Sequence, residues 1–261
     1  MLMAVWAYRN FVLSSIRAEF KNRFARSRLG AAWIVLHPLA QATIYAIVLA
    51  EILGARLPGT TSRSAFAAYL IAGTSAWSLF SEILMRCMTV FIEYGSVLKK
   101  IAFPRLCLPV VVAGSALINH LVLLVAVAFV FLFLDQPPNI TWLALPLGMI
   151  LIAGLAFGIG ILLGLMNVFV RDVGHVFGIV LQFAYWLTPI VYTTAALPPS
   201  LQWLTAVNPL TPIVAIYQQP MVYGRWPDLG PLVVPAVLMV LLFVLTISVF
   251  RRASPELVDA L

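Results

Sequence analysis

Charge is the scarcest commodity in this sequence. Of its 261 residues only 10% are Asp, Glu, Lys or Arg, while 63% are hydrophobic. A water-soluble domain carries about 25% charged and roughly 45–50% apolar residues, and one soluble core of this length could not hide so many apolar side chains. The composition therefore excludes a cytosolic enzyme, a secreted disulfide-stapled domain and a free-standing nucleic-acid binder. Cysteine is equally sparse. Cys87 and Cys107 form neither a disulfide framework nor a metal-site spacing, and both are expected near the cytosolic ends of membrane helices, where thiols stay reduced. The three lysines, Lys21, Lys99 and Lys100, lie outside any GxxxxGK[ST] run, so the chain cannot itself hold ATP in a P-loop. HExxH, GxSxG and cysteine–histidine constellations are missing as well, and the expectation is a non-enzyme that binds no metal or cofactor of its own. Without a buried carboxylate pair, a basic ladder or a TVGYG-like filter, proton-coupled transport and ion conduction lack support.

What the sequence does have is long charge-poor runs. They cover about 33–53, 65–85, 106–134, 142–166, 174–195 and 229–250, charge-free but for Glu51 and Glu82 near the ends of the first two, each near the ~20 residues needed to cross a bilayer. The expected fold is an all-α polytopic membrane protein, one transmembrane domain over 1–261 with six helices and both termini on one side. Orientation follows from the basic residues. Thirteen lie in the N-terminal arm, the loop after span 2, the turn after span 4 and the C-terminal tail, against Arg56, Arg63 and Arg225 on the other side. The positive-inside rule makes the richer side cytosolic.

Between the spans the pattern changes. The arm at about 9–28 places its basic charge after a short apolar patch and runs straight into a full-length span, unlike a cleaved signal. Val12, Ile16, Phe20 and Phe24 form an apolar stripe, with Arg17, Lys21 and Arg28 off it and Arg23 and Arg26 blurring the segregation, which reads as an interfacial helix anchored by anionic lipid. The stretch 197–228 on the outer side holds six prolines yet stays apolar and aromatic. Re-entrant short helices fit it; an interfacial loop anchored by Trp203, Tyr217, Tyr223 and Trp226 is the alternative. In span 4, Gly154/Gly158 and Gly160/Gly164 have the small-xxx-small spacing of close helix contacts, within one subunit or between two. His120 beside Asn119 suggests a structural hydrogen bond rather than a proton relay.

Four ordered blocks carry a family resemblance. Residues 20–33 (FKNRFARSRLGAAW) followed by Leu36-His37-Pro38-Leu39, residues 98–105 (LKKIAFPR), residues 169–175 (FVRDVGH), and residues 185–192 (YWLTPIVY) with 204–210 (LTAVNPL) resemble the membrane subunits of ATP-binding-cassette polysaccharide exporters of the O-antigen, capsule and teichoic-acid type. The resemblance implies a homodimer with two copies of a cytosolic ATP-binding subunit, which would hold the ATP and Mg. It implies export of a polyprenyl-diphosphate-linked glycan across a bacterial inner membrane, with spans 1 and 5 and the re-entrant helices bordering the path. In this frame Arg105, Arg171 and Asp172 mark topology and turns. An exporter of drugs or other lipids is the nearest alternative, and a secondary transporter or channel the alternative from another class.

A path for sliding sugar needs flat rings rather than fixed charge. Tyr45, Tyr69, Trp77, Tyr185, Trp186 and Tyr192 are the candidates, with Trp186 and Tyr192 preferred because they bracket Pro189. Between spans 2 and 3, Tyr94, Val97, Leu98 and Ile101 fall at i, i+3, i+4 and i+7, one face of a short helix that Pro104 limits. That face, with Glu93 beside it, is the expected docking point for the ATPase, while Lys99 and Lys100 favour lipid phosphate.

Overall fold

The computed structural model describes residues 2–25, 32–45, 47, 63–100, 103–134, 136–254 and 256–257. Every regular element among them is helical. The longer helices are α1 (Leu2–Ala7), α2 (Arg9–Ala25), α3 (Ala32–Tyr45), α4 (Arg63–Glu93), α5 (Gly95–Lys100), α6 (Cys107–Phe133), α7 (Leu145–Phe169), α8 (Asp172–Leu187), α9 (Gln202–Val207), α10 (Leu210–Tyr223) and α11 (Val233–Ala253).

Among the described residues four segments are long and apolar enough to cross a membrane: Ser64–Glu93, Cys107–Phe133, Ile140–Phe169 and Gly230–Ala253. They coincide with the second, third, fourth and sixth expected spans. The first expected span is described only through α3, and its remainder lies largely outside the described residues. The fifth differs from expectation. Helix α8 stops at Leu187 rather than near 195, because Thr188 precedes a proline and takes an extended ψ of 134°, the conformation that a following proline imposes. Sixteen residues make a helix of about 24 Å, short of the hydrocarbon thickness.

The bundle is built on α4 and α7, which share the most extensive contact in the molecule. Their apolar windows are 56% and 61% buried, against 17% for the last span. The difference separates a central pair from a peripheral helix whose Val237, Val240, Leu241 and Val244 remain exposed. Apolar side chains turned outward in such density suit lipid rather than water. Glycine explains the central pair. A Cβ on Gly164 would lie 2.6 Å from the Cys87 carbonyl oxygen, and one on Gly160 would lie 2.7 Å from Cys87 Cβ. On the other flank Gly158 faces Leu242, and its carbonyl accepts a hydrogen bond of 3.1 Å from Thr246 of α11. Both glycine pairs thus serve packing within the subunit.

Polar side chains fasten the ends. Asn167 donates from Nδ2 to the Met88 carbonyl at 3.2 Å, and its Oδ1 accepts from the Gly174 amide at 3.1 Å, so the α7–α8 turn is held to α4 by Asn167 while Arg171 and Asp172 point outward. At the opposite end Asn208 caps α10 through the Leu210 amide (2.9 Å) and bonds Thr188 Oγ1 (2.9 Å). Two of the recognised sequence blocks, the Thr-Pro and the Asn-Pro-Leu, therefore meet in space. Helix α10 is mostly buried against α4 and α7 and ends at Gly224, whose φ of 61° is the left-handed conformation glycine adopts freely. Tyr217, fully buried, is not an interfacial anchor. It meets His120 Nε2 at 3.0 Å, the structural hydrogen bond expected of that histidine.

Candidate functional site

A cavity of about 650 Å³ opens between α3, α4, α6 and α8. Its ring cluster comes from α4 and α8, and Trp33 of α3 lines it as well. Trp77 meets Tyr185 edge-on with centroids 5.4 Å apart, and Tyr185 meets Trp186 in the same way at 5.9 Å, a geometry that aromatic quadrupoles favour. Thus three of the six candidate rings, Trp77, Tyr185 and Trp186, come together. Tyr69 and Tyr192 stand elsewhere. The Tyr69 hydroxyl donates to the carbonyls of Pro189 and Tyr192, both at 3.0 Å, and so clamps the turn after α8. Trp186 and Tyr192 accordingly lie on different sides of that turn's function, one at the cavity and one in the clamp. Tyr45 ends the described part of α3, and its side chain is outside the described residues.

Beside the rings the lining is polar. Glu82 accepts from Asn119 Nδ2 at 3.0 Å and from Arg86 Nη1 at 3.3 Å, and Arg86 is also paired with Glu19 of α2. Glu82, Asn119 and His120 all line the cavity. Sequence reasoning missed Asn119 and Glu82 as site residues; the available signal was that a polar residue inside an apolar span is costly and seldom idle.

A second concavity, about 620 Å³, lies at the basic end between α2, the end of α4, α5 and the start of α6. Glu93, Tyr94 and Val97 line it, together with Phe11, Glu19, Arg86 and Phe103. The expected docking stripe divides here. Tyr94 is 40% exposed, whereas Leu98 is 7% exposed and packed in the protein's own core. The break at Tyr94 causes the division: α4 ends at Glu93, and α5 restarts with the Leu98 amide bonded to the Tyr94 carbonyl at 2.9 Å. Ile101 lies outside the described residues. On α2, Val12 and Ile16 are buried against Cys107 and Val111, while Arg17 and Lys21 are exposed. The side chain of Arg23, and Arg26 and Arg28 altogether, lie outside the described residues.

A bundle with several bilayer-length helices, an internal cavity and a groove at its basic end is the architecture of a multi-pass transport subunit. The sequence pattern of the ABC-2 type transporter family matches residues 11–222, and the chain belongs to that family. Among curated proteins it is similar to an O-antigen export system permease protein RfbA of Klebsiella pneumoniae, 27% identical over 211 residues, which cover 79% of this chain and 78% of the relative. A protein of the same name from Myxococcus xanthus is 23% identical over 261 residues, covering 98% and 97%.

Proposed function

We propose that this chain is the permease subunit that exports a lipid-linked polysaccharide, of O-antigen type, across the bacterial inner membrane. It does so as a homodimer with two copies of a cytosolic ATP-binding subunit, on which ATP and Mg are held. The observation that carries the reading is the near full-length similarity to proteins named O-antigen export permeases. The ring-lined cavity supports it, since sugar rings stack on aromatic faces while sliding past them. In this reading six spans cross the membrane, with α3 opening the first, α8 the fifth, and α9 and α10 re-entering from the outer side. Both termini are cytosolic, on the strength of the asymmetric basic residues.

The groove bearing Glu93 and Tyr94 is then the seat of the ATPase. An exposed tyrosine beside a cleft is the type of residue that anchors an interface. Tyr94→Ala should leave the permease inserted and reduce co-purification of the ATPase by about tenfold, with loss of surface glycan in cells that depend on this chain. Wild-type complex yield together with wild-type surface glycan in that variant would remove the groove from the mechanism.

A further inference from the structure

The cavity is lined by polar groups as well as rings, and the polar ones have not been given a role. Its key group is the Asn119 carboxamide. Nδ2 donates to Glu82 Oε1 at 3.0 Å; a carboxylate only accepts, so this bond fixes which end of the amide is which. Asn119 Oδ1 is left as a pure acceptor. The residue is 2% exposed, lines the cavity, and its Oδ1 has no hydrogen-bond partner among the described residues. A buried acceptor without a donor is costly and calls for a reason. Two further lining hydroxyls act as acceptors, while the lining amides Gln41 and Gln182 can also donate. Ser78 and Ser81 line the same cavity and spend their protons on the carbonyls of Ser75 (2.8 Å) and Trp77 (2.9 Å), so they too present lone pairs. No Lys or Arg is among the described lining residues.

An unpaired acceptor, with no Lys or Arg among the described lining residues, gives little hold to a phosphate, which brings only negative charge and further acceptors. A hydrocarbon tail offers it no donor. A sugar unit brings hydroxyl donors on its rim and an apolar C–H face for Trp77, Tyr185 and Trp186 on the other side. We propose that Asn119, oriented by Glu82, is the residue that reads sugar hydroxyls in this cavity. The cavity holds a neutral sugar unit and excludes the diphosphate of the carrier lipid. The inference rests on the export reading above and adds to it which part of the substrate lies here and which side chain selects it. Because Asn119 Oδ1 is buried, the proposal requires the lining to open slightly for a hydroxyl to reach it.

The test uses the full-length chain in deuterated detergent and saturation-transfer difference NMR with maltohexaose as the neutral sugar. Transfer to the sugar is expected, with farnesyl diphosphate failing to compete. Permethylated maltohexaose keeps the rings and loses every hydroxyl donor; its transfer should fall roughly five- to tenfold, the loss of about one hydrogen bond. Asn119→Leu should weaken the hydroxylated sugar to the same extent. The permethylated arm needs no variant and stands even where Asn119→Leu does not fold. Equal transfer to both sugars, or displacement of sugar by the diphosphate, overturns the assignment. Sugar binding through Asn119 in a chain that exports no glycan refutes the export reading alone. Wild-type export kinetics in Asn119→Leu refute this inference alone.

Discussion

Replacing Gly164 by alanine tests the packing on which the bundle is built. Two effects oppose each other. Alanine gains up to about 1 kcal/mol over glycine in a helix interior. Against this, the new Cβ lies 2.6 Å from a backbone oxygen, that of Cys87, and 3.3 Å from the Phe91 ring. A backbone atom in the middle of a helix cannot turn aside as a side-chain tip can, so α4 and α7 must separate along several turns. Overpacking of this kind costs about 1–3 kcal/mol, and the clash sits at the hard end of that range. The expected net is a destabilisation of about 1–2 kcal/mol. Gly178→Ala is the control, because nothing lies within 4 Å of its added Cβ; it should be neutral or slightly stabilising. Gly154→Ala should fall between them, since the atoms it meets belong to the flexible Met239 side chain. Thermal unfolding in micelles, followed by the surviving gel-filtration peak, should place Gly164→Ala several degrees below Gly178→Ala. Coincident melting of those two variants would refute the argument that glycine at 164 serves close approach to α4.

Three further outcomes follow from the same structure. Single cysteines at Ser14, Ser96 and Ser254 should resist a membrane-impermeant thiol reagent in intact cells while one at Ser62 labels. The native Cys87 and Cys107 are buried and should contribute little background; labelling at Ser96 would reverse the topology. Cysteines at Val180 or Phe183, apolar and exposed on α8, should cross-link between subunits, and a functional reconstituted monomer would exclude the homodimer. Asn167→Leu removes two hydrogen bonds that tie the α7–α8 turn to α4; a loss of about 1–3 kcal/mol should appear as faster amide exchange around Gly174, and unchanged exchange there would assign the turn's order to other contacts.

The sequence carried the spans that charge alone defines. Four helices long enough to cross a membrane fall on four of the charge-poor runs because an ionised group at the bilayer centre is too costly to be placed there casually. It also carried the proline that shortens the fifth, although an apolar stretch such as Ile190-Val191-Tyr192 conceals where a helix stops. Aromatic side chains were harder. Tyr69 and Tyr185 have the same chemistry and similar surroundings in the sequence, yet one clamps a turn and the other lines the cavity. The difference is a tertiary contact with Pro189 that leaves no period along the chain. Asn119 and Asn167 were missed for a related reason: a single amide in an apolar helix makes no pattern, and its partners lie 37 and 79 residues away. Leu98 misled because helical spacing shows which residues share a face, not which way the face turns.

Helix α8 is fastened at both ends and scarcely in the middle. Near its start Asn167 takes the Gly174 amide. Beyond its far end Tyr69 and Gln218 both donate to the Pro189 carbonyl at 3.0 Å. A rod held so cannot slide along the bundle or swing out like a gate without breaking one set of bonds. Any displacement of Tyr185 and Trp186, both of which line the cavity, therefore begins with the release of one of these two ties.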